Sequence, residues 1–413
     1  MRFDLFCLPS IPGSLEERAA LRPIGRNNDR FQQMLEQLRQ IVIYADEAGF
    51  DAFSTTEHHL HSEGYEASVA PLLIYADLAA RTQRIKFAPL GLVLPSWDPI
   101  RCAEELAMLD HLTKGRMIAG FARGYQDRWT NILGQQYNVT GATMDGSETD
   151  EHNREVFEEV LDIIRLAWTQ DAIEYNGKYY TIPAPYQEGI RRWPPTEWTN
   201  TYGAPGELDQ DGVIRKVCVI PKPYQQPMPP FWQPFAVSET TIRRTAQRNI
   251  VPWILSALPQ KFTELCQMYQ EEASTAGREL KLGESVGAIR AIYFGDTYEE
   301  AYELGYRCTG IGFHHYFGAF GFVEAFRNPG EEKPRPLMFD TERETYQRMV
   351  DHNFVICGTV DQVKQQIESV ARCHTNGALE WLGWSFGQGF MPMDQALRQL
   401  ELFANNIIPE FKD

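Results

Sequence analysis

The sequence predicts one domain spanning 1–413, an α/β fold of the (β/α)8 TIM barrel type with long loop insertions. Three observations point to it. Short apolar runs alternate with stretches of helical periodicity, eight such pairs occur along the chain, and the third apolar run is continuous enough to be buried on both faces. Eight strand–helix pairs joined by right-handed crossovers close most simply into a barrel, with an open doubly wound sheet as the alternative.

The first strand is expected over 3–8. In the helix that follows, Phe31, Met34, Leu35, Leu38, Ile41, Val42 and Ala45 share one face; Asn28 or Asp29 can cap it and Gly49 can end it. The second strand, 50–56, begins at once. A helix near 71–81 leads to the third strand, 85–94. Asp98 suits an N-cap with Pro99 at the first helical position, and that helix runs to Leu112 ahead of Gly115. A fourth strand at 117–121 and an amphipathic helix at 153–168 complete the first half. Asn176-Gly177 then marks a hairpin, and 183–230 is rich in proline without periodicity. The alternation resumes with strands at 231–237, 250–255 and 286–294 and helices at 238–248 and 260–275. An irregular stretch, 309–353, precedes a helix at 360–373, the eighth strand at 379–386 and a closing helix at 395–411. Insertions are therefore expected near 122–150, 171–230 and 309–353.

Hydrophobic residues form 43% of the chain against 23% charged, sufficient apolar material for such a core. The net charge of −17 excludes broad binding to nucleic acid or to an anionic membrane, since both require a dense cationic face. No apolar run is long enough to span a bilayer, and Arg2 and Asp4 interrupt the first segment as a secretory signal, so a cytoplasmic protein is expected. Seven scattered cysteines without a CxxC pair suit reduced, packed thiols better than disulfides or zinc.

Barrels of this type place their sites at the C-terminal ends of the strands. The second strand ends in Ser54-Thr55-Thr56-Glu57-His58-His59-Leu60-His61, four ionisable side chains within five positions. Glu57 and His58 are the stronger acid/base candidates, with His59 beside them, whereas His61 lies furthest into the loop and suits a solvated position. His59 and His61 also have the spacing of metal ligands, yet Ser238, Leu255, Gly295 and Phe386 at later strand ends are not typical ligands, so no metal is expected. Arg123 follows the fourth strand among Gly120, Ala122 and Gly124, where the backbone can approach a ligand and the guanidinium offers a fork for a phosphate; a surface salt bridge is the alternative. Ser238 and Thr241 open a helix, a favourable place for an anion, with ordinary capping as the alternative.

Three segments together resemble the bacterial luciferase-like flavin monooxygenases. They are Ala48-Gly49-Phe50-Asp51 leading to Glu57-His58-His59; Leu94-Pro95 through Pro99, Ala103-Glu104-Glu105 and Leu109-Asp110 to Lys114-Gly115-Arg116; and Arg123-Gly124-Tyr125. The likeness continues through Gly358-Thr359-Val360-Asp361-Gln362-Val363 and Leu402-Phe403 to Ile408-Pro409, and is nearest to the luciferase α-subunit branch. It implies that Arg123, Ser238 and Thr241 hold the FMN phosphate with Gly124 and Tyr125 alongside. It also implies that Leu90-Gly91 forms a cis peptide beside the flavin ring, that Glu57 is a flavin-side carboxylate and that His58 is an acid/base group. Ala122 stands where luciferases carry a reactive cysteine and Val237 where they carry a glutamate, so light emission is not expected.

The implied reaction takes reduced FMN (FMNH2) from a separate flavin reductase and O2, and proceeds through a flavin C4a-peroxide to oxidise a small apolar organic substrate. The absence of a GxGxxG segment suits that division of labour. Trp129, His314, His315 and Trp384, with Tyr125, Tyr316 and Phe317, can line a substrate pocket or simply pack the insertions. Two alternatives stand. An F420-dependent hydride-transfer enzyme would need more cations near Arg123 than Arg128 beside Asp127 provides. A non-catalytic flavin-binding or supporting subunit has no need of the Glu57-His58 pair. The resemblance also implies a homodimer or heterodimer formed through the helices after the second and third strands.

Overall fold

The computed structural model describes residues 1–236 and 238–412. Val237, one of the two departures from the luciferases, lies outside the described residues. Along the chain run β1 (Arg2–Cys7), α1 (Leu15–Ala20), α2 (Asn28–Ala48), β2 (Ala52–Thr55), α3 (Pro71–Ala79), β3 (Lys86–Pro89), β4 (Leu92–Val93), α4 (Pro99–Thr113), β5 (Ala119–Ala122), α5 (Asp127–Leu133) and α6 (Glu148–Thr169). The hairpin strands β6 (Tyr175–Asn176) and β7 (Thr181–Ile182) and helix α7 (Thr196–Tyr202) follow. Then come β8 (Phe231–Ala236), α8 (Glu239–Gln247), β9 (Ile250–Ile254), α9 (Pro259–Thr275), β10 (Gly287–Phe294), α10 (Tyr298–Gly305), α11 (Glu342–Asp351), β11 (Val355–Gly358), α12 (Val360–Ala371), β12 (Trp381–Phe386), α13 (Met393–Asn406) and α14 (Ile408–Phe411).

The chain forms two compact units, one of residues 1–71, 77–91 and 231–413, the other of 72–76 and 92–230. In the first, parallel strands lie in the order β3-β2-β1-β12-β10-β9-β8, and the C-terminal half of β10 also pairs with β11. In the second, β4 and β5 pair in parallel, α4 packs on α6, and Trp168 Nε1 donates to the Ala103 carbonyl at 3.0 Å. Parallel strands with interleaved helices are the (β/α)8 barrel arrangement expected from the sequence.

Helix α2 shows how locally the fold is encoded. Its N-cap is Asn27, one residue before the expected position, whose Oδ1 accepts from Arg30 N–H at 3.0 Å, and Gly49 closes the helix at φ 97°. Met34, Leu38, Ile41, Val42 and Ala45 are buried, each large side chain stabilising by roughly 1.5–3 kcal/mol. Buried Asp46, on the same helix, accepts from the N–H groups of Gln83, Arg84 and Ile85 at 2.7–2.8 Å and so fixes the start of β3.

The strand interior of the first unit is filled by three indoles. Trp232 meets Trp253 and Trp381 edge to face, with centroids 4.7 and 4.9 Å apart. Trp253 fits because Gly287 and Gly383 face it: a Cβ at either would come within 2.6 Å of the ring. We predict that Gly287→Ala lowers stability by about 1–3 kcal/mol, the usual cost of overpacking a core. An unchanged urea midpoint would contradict this.

The structure departs from the sequence expectations in three places. The apolar run 85–94 divides into β3 and β4 around Leu90–Gly91, whose peptide bond is cis. The stretch 309–353 is largely helical: wide π-type turns at Tyr306–Gly310 and Phe313–Phe317 continue α10, and α11 follows. Strand β11 was not expected. Its four residues follow Asn353 in the left-handed region, too short a run to show periodicity.

Candidate functional site

The cluster after β2 is built by a compact loop, 56–68. Gly64 at φ 71° turns the chain where a Cβ would come within 2.9 Å of Ile11 and Ile24. Backbone bonds hold the loop to its surroundings: Ile11 N–H to the Gly64 carbonyl at 2.8 Å, Gly25 N–H to Ser62 at 3.0 Å, and Ala67 N–H to Pro9 at 2.5 Å. The reversal returns Glu66 and Ser68 to the residues that end β2, and His58 N–H donates to the Ser68 carbonyl at 3.3 Å.

Thr56, Glu57, His58, Glu66 and Ser68 are all buried here. His58 Nδ1 lies 2.7 Å from Thr56 Oγ1, and its Nε2 lies 3.5 Å from Glu66 Oε1. His59 Nε2 meets Glu57 Oε1 at 3.0 Å. The His61 ring stacks on His58 at 5.5 Å, with Nδ1 donating to the Tyr65 carbonyl at 2.8 Å. The His61 side chain is thus only 5% exposed, in place of the solvated position that suited its distance from the strand. Burial, reinforced by the charges of His61 and His59, holds His58 well below the ordinary imidazole pKa. A neutral imidazole near pH 7 is a competent proton acceptor.

Two residues of this cluster escaped the sequence reading as site candidates. Glu66 lies beyond the dense run of 57–61, and Tyr316 reads from sequence as a lid aromatic. Tyr316 OH donates to Glu66 Oε2 at 3.0 Å and lies 3.3 Å from both His61 ring nitrogens.

In the same unit, β8 carries a register shift between Gln233 and Ala236, with Phe235 at φ 52°. Such a bulge re-aims the end of a strand. Helix α8 then opens on Ser238, whose Oγ accepts from Thr241 N–H at 3.2 Å and lies 2.9 Å from Thr241 Oγ1. Ser238 and Thr240 are exposed, so the hydroxyls at the start of α8 can meet an anion, and the Thr241 N–H, now held by Ser238 Oγ, adds a donor suited to a phosphate.

In the second unit, Arg123 follows β5 and its Nη1 donates to Asp150 Oδ1 at 2.7 Å; Arg154 reaches the other oxygen at 3.3 Å. Burial would raise the Asp150 pKa, but the hydrogen bond and charge of Arg123, with Gly146 N–H and Arg154, hold it below the usual carboxylate range. Asp150 therefore orients the guanidinium. Gly124 has φ 77°, and a Cβ there would meet Val93 at 2.5 Å. Tyr125 OH accepts from Gln126 Nε2 at 3.0 Å, and Trp129, fully buried, donates to Gln126 Oε1 at 2.8 Å.

The remaining pocket candidates take packing roles, the alternative the sequence leaves open. Trp384 packs on Phe403 at 4.8 Å and on Phe386 at 5.0 Å, and donates to the Ile292 carbonyl. The reason is strand parity: Trp381 and Gly383 face the indole cluster, so Trp384 faces the helices. His315 is 62% exposed and paired with Glu342 at 2.5 Å, while His314 Nδ1 meets Thr345 Oγ1 at 2.8 Å; both serve the docking of α11. Among the described residues, no group of three His, Cys, Asp or Glu is arranged to hold a metal ion, and no helix is long and apolar enough to cross a membrane.

A sequence profile of the luciferase-like monooxygenases matches residues 1–375. The oxygenase component of a flavin-dependent trigonelline monooxygenase from Acinetobacter baylyi is 23% identical over 391 residues, covering 92% of this chain and 91% of the relative. The oxygenating constituent of 3,6-diketocamphane monooxygenase from Pseudomonas putida, a type II Baeyer-Villiger monooxygenase solved in complex with FMN, superposes with TM-score 0.72 at 20% identity, covering 100% of this chain and 98% of that one. The coenzyme F420-dependent tetrahydromethanopterin reductase of Methanopyrus kandleri superposes at 0.61 with 15% identity, covering 100% and 99%.

Proposed function

Because the chain belongs to the luciferase-like monooxygenase family, we propose that it is the oxygenase component of a two-component system, taking reduced FMN from a separate flavin reductase and using O2 to oxidise a small apolar organic molecule. The observation that carries this reading is the buried cluster around His58, in which a histidine is kept neutral beside further acid/base groups. FMN also suits the chain's donors. Arg123, Ser238 and Thr241 would hold its phosphate, with Gly124 and Tyr125 alongside and Leu90-Gly91 against the ring. Bound reduced flavin supplies the electrons and the activation of oxygen.

The chain's own part is to bind, orient and move protons. Asp150 fixes the fork of Arg123 before any ligand arrives, which lowers the ordering cost of binding. Glu57 orients His59 through their 3.0 Å contact. His58 is the acid/base group of the cluster, exchanging protons through its neighbours Thr56 and Glu66, a role its burial and depressed basicity suit.

The likeness to an F420-dependent reductase makes deazaflavin hydride transfer the second reading. Absorbance titrations separate the two: saturable binding of FMN, with F420 binding far more weakly, is expected. Tight binding of F420 alone would replace this proposal. Turnover by the purified chain with reductase and FMN excludes the reading as a silent supporting subunit.

A homodimer or heterodimer formed through the helices after the second and third strands belongs to the same proposal, as does a cytoplasmic setting, which the seven free cysteines support. Leu73 on α3 and Met108 and Leu112 on α4 are 74%, 51% and 60% exposed, a cost in water that association removes. Leu73→Glu/Leu112→Glu is expected to shift the chain to monomers in analytical ultracentrifugation, and an unaltered sedimentation profile would count against these helices as the interface.

A further inference from the structure

We propose that Glu66 is a positioning residue that fixes the proton of His58 on Nε2 and ties that proton to Tyr316 in the helical segment ahead of α11. The inference rests on the reading of His58 as the acid/base group, and goes beyond it by assigning the tautomer and the residue that controls it.

The assignment follows from what each partner can donate. Tyr316 OH donates to Glu66, so the carboxylate is placed as an acceptor for the groups that converge on it. Tyr316 OH donates to Oε2 at 3.0 Å, and His58 Nε2 stands 3.5 Å from Oε1. At the other end of the ring, Thr56 Oγ1 is 2.7 Å from Nδ1 and 3.3 Å from Ser68 Oγ. A consistent pattern runs from the Ser68 hydroxyl to Thr56 and from Thr56 to an unprotonated Nδ1, leaving the hydrogen on Nε2, the ring nitrogen 3.5 Å from Glu66 Oε1. His61 agrees with it. Its Nδ1 is 2.8 Å from the Tyr65 carbonyl, an acceptor, so Nδ1 carries its hydrogen and its ring lies stacked on His58.

Glu66 is built into this place. It is 1% exposed, has φ 51° in the region left-handed for L-residues, and is followed by Ala67, whose N–H is held by the Pro9 carbonyl at 2.5 Å. A backbone so constrained, in a loop closed by Gly64, sets the carboxylate independently of ligand. Tyr316 is the one contact of the carboxylate that comes from the 306–326 segment among those described above. Its ring packs on Tyr65 at 4.8 Å and on Phe317 at 5.3 Å, so a movement of that segment changes the hydrogen-bonding of Glu66 and through it of His58. The titratable groups around His58 are Glu57, His59, His61, Glu66 and Tyr316.

The test uses the full chain labelled with 15N-histidine, without flavin, and reads two-bond 1H–15N correlations, with His58 identified by its loss in His58→Gln. The expected spectrum has His58 neutral with Nε2 protonated. In Glu66→Gln the His58 nitrogens move toward a mixture of tautomers, and Tyr316→Phe, which removes one oxygen without changing the packing volume, moves them in the same direction by less. Reoxidation of bound reduced FMN by O2 is expected to change about tenfold in Glu66→Gln while the FMN titration midpoint stays within about twofold, with partial recovery in Glu66→Asp. A wild-type His58 protonated on Nδ1, or nitrogen shifts unaltered in both Glu66→Gln and Tyr316→Phe, overturns the proposal. Because the NMR readout needs no cofactor, a chain that shows the expected tautomer but fails to bind FMN refutes the flavin reading while leaving the role of Glu66 intact.

Discussion

Replacing His58 with glutamine is expected to lower turnover with reductase-supplied FMN by about 10²–10⁴-fold, the usual contribution of a positioned acid/base group, and to leave FMN binding near wild type. Glutamine preserves polarity and approximate size, so the 2.7 Å neighbour Thr56 keeps a partner, but it cannot exchange a proton near neutral pH. The change should appear in kcat and kcat/KM alike, the signature of an interaction made in the transition state. His59→Gln provides the internal comparison. His59 is more exposed than His58 and bonded to Glu57, so its loss is expected to cost less. Equal losses at both positions would move the acid/base role from His58 to the cluster as a whole.

The second large effect is expected at the phosphate. Arg123→Ala removes a planar cation already oriented by Asp150 at 2.7 Å, and a charge-assisted hydrogen bond of this kind contributes about 1.5–3 kcal/mol. FMN affinity should fall by about 10- to 100-fold. Riboflavin, which lacks the phosphate, should bind the variant and the wild type equally. Arg123→Lys is expected to recover little, because a point charge cannot reproduce the fork. Ser238→Ala/Thr241→Val should act in the same direction with a smaller loss, since the backbone N–H groups of α8 remain. Loss of riboflavin binding along with FMN would instead point to a damaged fold.

The strand–helix rhythm was legible because each early element has its own signal. Asn28-Asp29 and Gly49 mark the ends of α2 to within a residue, Asp98 and Pro99 open α4, and the apolar strands are separated by helices of clear periodicity. What the rhythm could not show was a strand of four residues, β11, or the helical course of 306–326, where Gly310, Gly312, Gly318 and Gly321 interrupt every helical pattern. At the site, Glu57, His58 and His59 stood out by density alone. Glu66 did not, because its partners are brought to it by a turn with Glu66 in the left-handed region, a property of backbone conformation that the two carboxylates of Ser62-Glu63-Gly64-Tyr65-Glu66 do not announce. Trp384 misled for the opposite reason: an aromatic residue near a strand end suits a pocket, but the two-residue period of β12 turns it toward α13.

The central claim, that this chain binds reduced FMN and governs its reaction with oxygen, is tested most directly by anaerobic mixing of the chain with reduced FMN followed by rapid mixing with O2, watching the visible band of oxidised FMN return. The account predicts that the return is delayed relative to free reduced FMN, that the delay saturates with chain concentration, and that Arg123→Ala shifts the saturation to higher concentration. A time course identical to that of free reduced FMN at saturating chain would contradict it.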